Sequence, residues 1–174
     1  GANVGAYSLL ASKFFDGKVK VYAFEPAFQN FAQLCKNVAL NGCQDDIVLL
    51  QIALSHETSM QVFNYRSLTS GTAVHALGDP VDVSGAIFTP VHTQATLAFR
   101  LDDLIRQFQF SVPNHIKIDV DGTEFSVLQG MEETLSNAAL SSMLLELNNG
   151  IGQDRMILDY LSRKGFEIHS KHGF

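Results

Sequence analysis

The sequence predicts a three-layer α/β fold built on a mostly parallel sheet, and three observations carry that expectation. Short β-branched and aromatic runs alternate with stretches of helical periodicity, the rhythm of strands joined by crossover helices. No apolar run approaches the ~18 residues that a spanning helix needs. The 174 residues, 46% hydrophobic and 17% charged, suffice for one core but not two, so residues 1–174 read as a single domain.

The elements follow in order. Residues 4–15 are apolar at helical spacing (Val4, Leu9, Leu10, Phe14) and stop at Asp16-Gly17, and 19–24 form a strand. Phe28, Phe31, Ala32, Cys35, Val38 and Ala39 mark one face of a second helix that ends near Asn41-Gly42, and 47–53 is the next strand. Residues 60–66 and 93–99 alternate as strands, and Leu101, Leu104, Ile105 and Phe108 form the core face of a short helix. Residues 115–120 are a strand, and Phe125, Leu128, Met131 and Leu135 are the stripe of the helix after it. The near-continuous apolar run 140–147 predicts a strand buried on both faces, followed by a helix over 153–164 and a last strand from Gly165.

One stretch breaks the rhythm. Residues 67–90 are rich in Gly, Ser, Thr, Pro and Asp with weak periodicity, so 67–96 is expected to hold an irregular excursion serving as a lid or acceptor loop. Charge narrows the partners. Twelve Lys and Arg against eighteen Asp and Glu give a net charge of −6, and the basic residues do not cluster, which excludes a nucleic-acid or anionic-membrane surface in this segment. Cys35 and Cys43 match neither a metal spacing nor a disulfide framework, so a reducing, cytoplasmic setting is expected.

In an open α/β sheet, ligands bind beyond the carboxyl ends of the strands, which directs attention to four places. Gly1-Ala2-Asn3-Val4-Gly5 is a small-residue turn entering a helix, where a ligand can approach main-chain N–H groups. Glu25, in Phe24-Glu25-Pro26, ends the next strand twenty residues after Gly5 (25 − 5), the spacing at which a carboxylate reaches the two hydroxyls of a ribose. Asp119, Asp121 and Glu124 crowd three carboxylates into six residues at a strand end; a helix cap accounts equally well for Asp121 and Glu124, less well for Asp119. Glu146, Asn148 and Asn149 close the following strand.

These segments carry a resemblance. GANVGAYS, VYAFEPAFQNFAQLCKNVALNG, IALS, RLDDLI, HIKIDVDGTEFSVLQGMEETL and LLEL resemble, in order and spacing, the FkbM family of S-adenosylmethionine-dependent methyltransferases. Where that family usually reads I-D-V-E-G, Asp121 stands in place of the Glu and keeps the charge. The resemblance implies a Rossmann-like class I methyltransferase fold with a seven-stranded sheet. The first strand of that fold, with the acid before the glycine turn, has no counterpart in this sequence, which begins inside the turn as a fragment would.

The resemblance also implies O-methylation of a hydroxyl on a sugar, polyketide or other small molecule, with S-adenosyl-L-methionine as cofactor. Gly1, Asn3 and Gly5 would line its methionine end, Glu25 beside Pro26 would hold the ribose, and Ala53 and Leu54 would lie near the adenine. Asp119 would sit beside the sulfonium as the catalytic residue, with Asp121, Glu124, Glu146 and Asn148 toward the substrate. A divalent metal gathered by Asp119, Glu146 and Asn148 is a lesser alternative to a metal-free site. Two other functions stay open: an NAD-linked oxidoreductase, against which the turn lacks the third glycine of GxGxxG, and a non-catalytic module keeping the fold.

Overall fold

The computed structural model describes residues 1–82, 84–147 and 153–172. Its strands form two parallel pairs and a four-stranded mixed sheet, with helices between them.

Helix α1 (Ala6–Phe14) starts at Gly5, whose φ of 93° is left-handed, and a Cβ there would collide with Leu34 Cδ1. Its buried face is Ser8 and Ser12, whereas Leu10 and Phe14 are exposed. Small hydroxyl residues let the helix approach closely, and Ser12 Oγ donates to Asp46 Oδ2 at 2.6 Å. Strand β1 (Val21–Phe24) pairs in parallel with β2 (Ile47–Leu50), Val21 opposite Ile47 and Phe24 opposite Leu50.

Between them runs α2 (Phe28–Leu40), which buries Asn30, Leu34 and Val38 at a four-residue interval. This corrects the expected face, because Phe28, Ala32 and Ala39 are exposed and a polar residue occupies a buried position. The helix start is satisfied from outside: Ala27 N donates to Glu25 Oε1 at 3.0 Å and Phe28 N to the hydroxyl of fully buried Tyr65 at 3.1 Å. Leu34, Val38, free Cys43, Ile47 and Ala23 form the core beneath.

Strand 47–53 splits. After Leu50 the chain leaves β1, and β3 (Ala53–Leu54) joins the mixed sheet of order β3-β6-β4-β5, formed with β4 (Ser59–Tyr65), β5 (Ala76–Leu77) and β6 (His92–Phe99). Strand β6 is parallel to β3 and antiparallel to β4. The expected excursion over 67–96 is therefore shorter and partly ordered, because residues 92–96 belong to β6 and β5 pairs with β4. Polar Gln94 and Thr96 point inward there, Thr96 being 5% exposed, which disguises the strand period.

Helix α3 (Leu101–Phe108) buries Leu101 and Leu104 and also Asp102, whose carboxylate accepts from Glu133 N and Thr134 N at 3.0 Å each and from Thr134 Oγ1 at 2.7 Å. Strand β7 (His115–Ile118) pairs in parallel with β8 (Ser142–Leu145), Ile118 opposite Leu145. The single helix expected after β7 is two, α4 (Glu124–Gln129) and α5 (Glu132–Leu135), because the chain turns at Gly130, where a Cβ would strike the Ser55 carbonyl. Helix α6 (Gln153–Arg163) buries Ile157 and Leu161 in the largest core, with Ile118, Val127, Leu128, Met131, Leu135 and Leu140.

Two further expectations are corrected. Strand β8 is not buried on both faces, since Leu144 is 53% exposed, and residues 165–172 form no strand. The mostly parallel seven-stranded sheet is also not what the described residues form. The antiparallel pairing of β4 with β6 draws β3 into a separate mixed sheet, and β1 and β7 meet through the Gly1-Ala2 turn rather than through a strand. No helix among the described residues is long and apolar enough to cross a membrane.

Candidate functional site

The site lies where the ends of β1 and β7 face each other across the glycine turn. Ala2 N donates to Phe24 O at 2.8 Å, and Gly1 N makes a short contact with Asp119 O, so the turn rests on both strand ends. A Cβ on Gly1 would stand 2.6 Å from Glu25 Oε2 and 3.3 Å from Phe24 O, so a side chain there would push the Glu25 carboxylate aside. Asn3 takes a left-handed φ of 50°, which aims its N–H at Glu25 Oε2, 2.8 Å away. Glu25 is 5% exposed, and each of its oxygens accepts one backbone N–H, from Asn3 and from Ala27. A carboxylate has about four acceptor positions, so these two bonds do not fill it. Burial pushes its pKa up, against the pull of the Asn3 and Ala27 N–H groups and the Asn30 amide. Pro26 fixes the chain between Glu25 and α2.

On the β7 side Asp119 follows Ile118, and Lys117 Nζ lies 2.5 Å from Asp119 Oδ2 and 4.3 Å from the centre of the Tyr7 ring. Burial opposes the charge of Asp119, but the Lys117 ammonium outweighs it and holds the pKa below the ordinary carboxylate value. Glu146, whose N donates to Ile118 O at 3.1 Å, is pushed up by the charge of Asp119 first and by burial second. Two neighbouring carboxylates thus separate, one held ionised and the other inclined to keep its proton.

The structure brings together Gly1, Asn3, Gly5, Glu25, Pro26 and Asp119, with Glu146 beside Asp119. Ala53 is buried in β3, and Leu54 packs against the core of Leu101 and Ile118. Glu124, 4% exposed at the start of α4, accepts from Gly122 N at 3.1 Å, a capping role. Asp121, at a left-handed φ of 54°, accepts from Val74 N at 2.7 Å and so binds the excursion. Asn148 and Asn149 lie outside the described residues. Among the described residues no group of three or more His, Cys, Asp or Glu is arranged to hold a metal ion.

Sequence reasoning missed Asn30, Lys117, Tyr7 and His75. Only Lys117 had a local signal, its alternation with Asp119 along one strand face. Between the excursion and the 121–123 turn lies a cavity of about 320 Å³, lined among others by Leu77, Asp79, Asp82, Asp121 and Thr123. Asp82 is drawn down to about 2 by Ser84, Ala86 and Arg66, the last 3.1 Å away.

The site has what a ribose-bearing cofactor with an ammonium group needs: a buried carboxylate with free acceptor positions, a turn too tight for side chains, and the buried, unpartnered Oδ1 of Asn3. The chain is 24% identical over 154 residues to the hexuronic acid methyltransferase AglP of Haloferax volcanii, covering 87% of this chain and 55% of that protein. It is 27% identical over 193 residues to the methyltransferase sdnD of Sordaria araneosa, covering 97% of this chain and 72% of that protein. The chain thus spans about half the length of the first relative. No solved structure matches it. The methyltransferase FkbM domain matches residues 1–168, so the chain belongs to the FkbM methyltransferase family.

Proposed function

We propose that the chain is an S-adenosylmethionine-dependent O-methyltransferase acting on a hydroxyl of a neutral small molecule of the sugar or polyketide class. One observation carries the cofactor assignment: Glu25, buried at the end of β1, keeps acceptor positions free beside the Gly1-Asn3 turn. Bound there, the cofactor supplies an electrophilic methyl group. The Glu25 carboxylate would accept from the ribose hydroxyls, and Asn3 Oδ1 would accept from the ammonium. Gly1 and Gly5 leave room for the methionine end. The Rossmann-like reading of the fold rests on the family and on the two parallel strand pairs.

The protein's part in methyl transfer is to hold the acceptor oxygen in line and take its proton. Asp119, held ionised by Lys117, suits orientation of the acceptor hydroxyl. Glu146, raised toward the working range, suits receipt of the proton. The acceptor reaches them from the cavity under the excursion, which acts as its lid. Asp79, Asp82 and Asp121 line that cavity, and Arg66 is already paired with Asp82. A second anion would meet uncompensated negative charge there, which favours a neutral acceptor over an acid such as the one named for AglP.

Calorimetry with S-adenosylmethionine and S-adenosylhomocysteine tests the cofactor. Loss of a charged hydrogen bond costs about 1.5–3 kcal/mol, so Glu25→Ala should weaken binding about tenfold to a hundredfold. Unchanged affinity in a folded Glu25→Ala variant, or no binding by the unmutated protein, would sink the reading.

A further inference from the structure

The excursion is fastened at two points that flank the cofactor site. On the β1 side, Asn30 stands in the first turn of α2, five residues after Glu25 (30 − 25) and 2% exposed. Its Oδ1 accepts from Gly71 N at 2.7 Å, and its Nδ2 donates to Thr72 O at 3.0 Å. On the β7 side, Val74 N donates to Asp121 Oδ2 at 2.7 Å. Residues 71–74 therefore bridge the two sides of the crevice, and the chain continues into Ala76 and Leu77, which line the acceptor cavity. Glu25 Oε1 in turn accepts from Ala27 N at 3.0 Å, at the start of the same helix whose first turn carries Asn30. The start of α2 thus holds both the carboxylate assigned to the ribose and, through Asn30, the strap.

We propose that Asn30 is a positioning residue that couples the Glu25 carboxylate to closure of the 71–74 strap, so that cofactor binding and assembly of the acceptor cavity occur as one event. The coupling rests on the cofactor reading above; the latch does not. An asparagine suits the role because its acceptor and its donor hold Gly71 N and Thr72 O at once. Linkage requires the effect to be reciprocal: the factor by which cofactor disfavours strap opening is the factor by which an open strap weakens cofactor binding.

The test is limited thermolysin digestion of the full chain, with cleavage in residues 67–77 mapped by mass spectrometry, with and without S-adenosylhomocysteine. Without ligand, Asn30→Ala should be cut there about tenfold faster than the unmutated protein, with no new cuts in α2. In the unmutated protein the ligand should slow strap cleavage about tenfold, and Asn30→Ala should lose both that protection and a matching factor in affinity. Asn30→Asp keeps the size and the acceptor for Gly71 N but loses the donor to Thr72 O, and should behave alike without ligand if Asn30→Ala fails to fold. Equal ligand-free cleavage of a folded Asn30 variant and the unmutated protein would overturn the latch. Protection retained in full by a cleavage-prone variant would overturn the coupling. Failure of the ligand to bind the unmutated protein overturns the coupling together with the cofactor reading, and the ligand-free comparison still judges the latch.

Discussion

Asn3 N lies 2.8 Å from Glu25 Oε2, a contact that exists only because Asn3 accepts a left-handed backbone at φ 50°. The bond ties the glycine turn to a carboxylate that burial drives above its ordinary pKa of 4.5. The folded state therefore favours protonated Glu25. Its contribution to stability is present below the unfolded value and is lost as pH rises through the folded one. Ribose binding needs the opposite form. We expect affinity for S-adenosylhomocysteine to fall as pH drops through the raised Glu25 value, starting above the pH of an ordinary glutamate. Titration calorimetry across mildly acidic pH checks this, and a flat profile down to pH 4.5 would contradict it.

Lys117 holds Asp119 ionised from 2.5 Å. Lys117→Met keeps the stem against Tyr7 and removes the charge, so Asp119 should titrate at higher pH and the acid limb of kcat/KM should move up with it. We expect kcat to fall about tenfold to a hundredfold with little change in cofactor affinity. A loss confined to cofactor affinity would place the pair on the ammonium group instead.

His75 sits between Phe63 and Tyr65, ring centres 5.7 and 5.2 Å away, and its Nδ1 accepts from Arg66 N at 3.3 Å. Burial lowers its pKa below 6.5, against the attraction of Asp121. For a base lowered in the fold, stability is present above the unfolded value and is lost as pH falls from 6.5 through the folded one. Cleavage of the strap should therefore accelerate on acidification below 6.5 in the unmutated protein and stay level in His75→Phe. Parallel pH profiles for the two would refute the role of His75.

Asp102 caps α5 through the N–H groups of Glu133 and Thr134 while buried to 4% exposure. Asp102→Ala leaves those donors unpaired and should cost about 2–4 kcal/mol in urea unfolding at neutral pH. Gly130→Ala, which drives a methyl into the Ser55 carbonyl, should cost about 1–3 kcal/mol or more. A change under ~0.5 kcal/mol in either would show that the α4–α5 corner relaxes freely.

The sequence by itself determined the parallel pairs, the glycine turn and the acid at each strand end. Apolar periodicity, turn residues and a fixed spacing are local properties, so β1, β2, β7 and β8 and the places of Gly1, Gly5, Glu25 and Asp119 could be read from them. The FkbM membership was legible in the same motifs. Tertiary structure alone decided the rest. Asn30 was no part of the apolar face read from the sequence, yet it is buried because its partners, Gly71 and Thr72, arrive from 41 and 42 residues away. Ala53 ended the strand read over 47–53, yet its pairing with Ala98 carries it into another sheet. Asp121 and Glu124 belong to one carboxylate cluster in sequence, but one holds the strap and the other a helix start. Periodicity records which side of a segment is apolar, whereas a buried polar group is tolerated only where a distant partner satisfies it, and that partner is fixed by the fold.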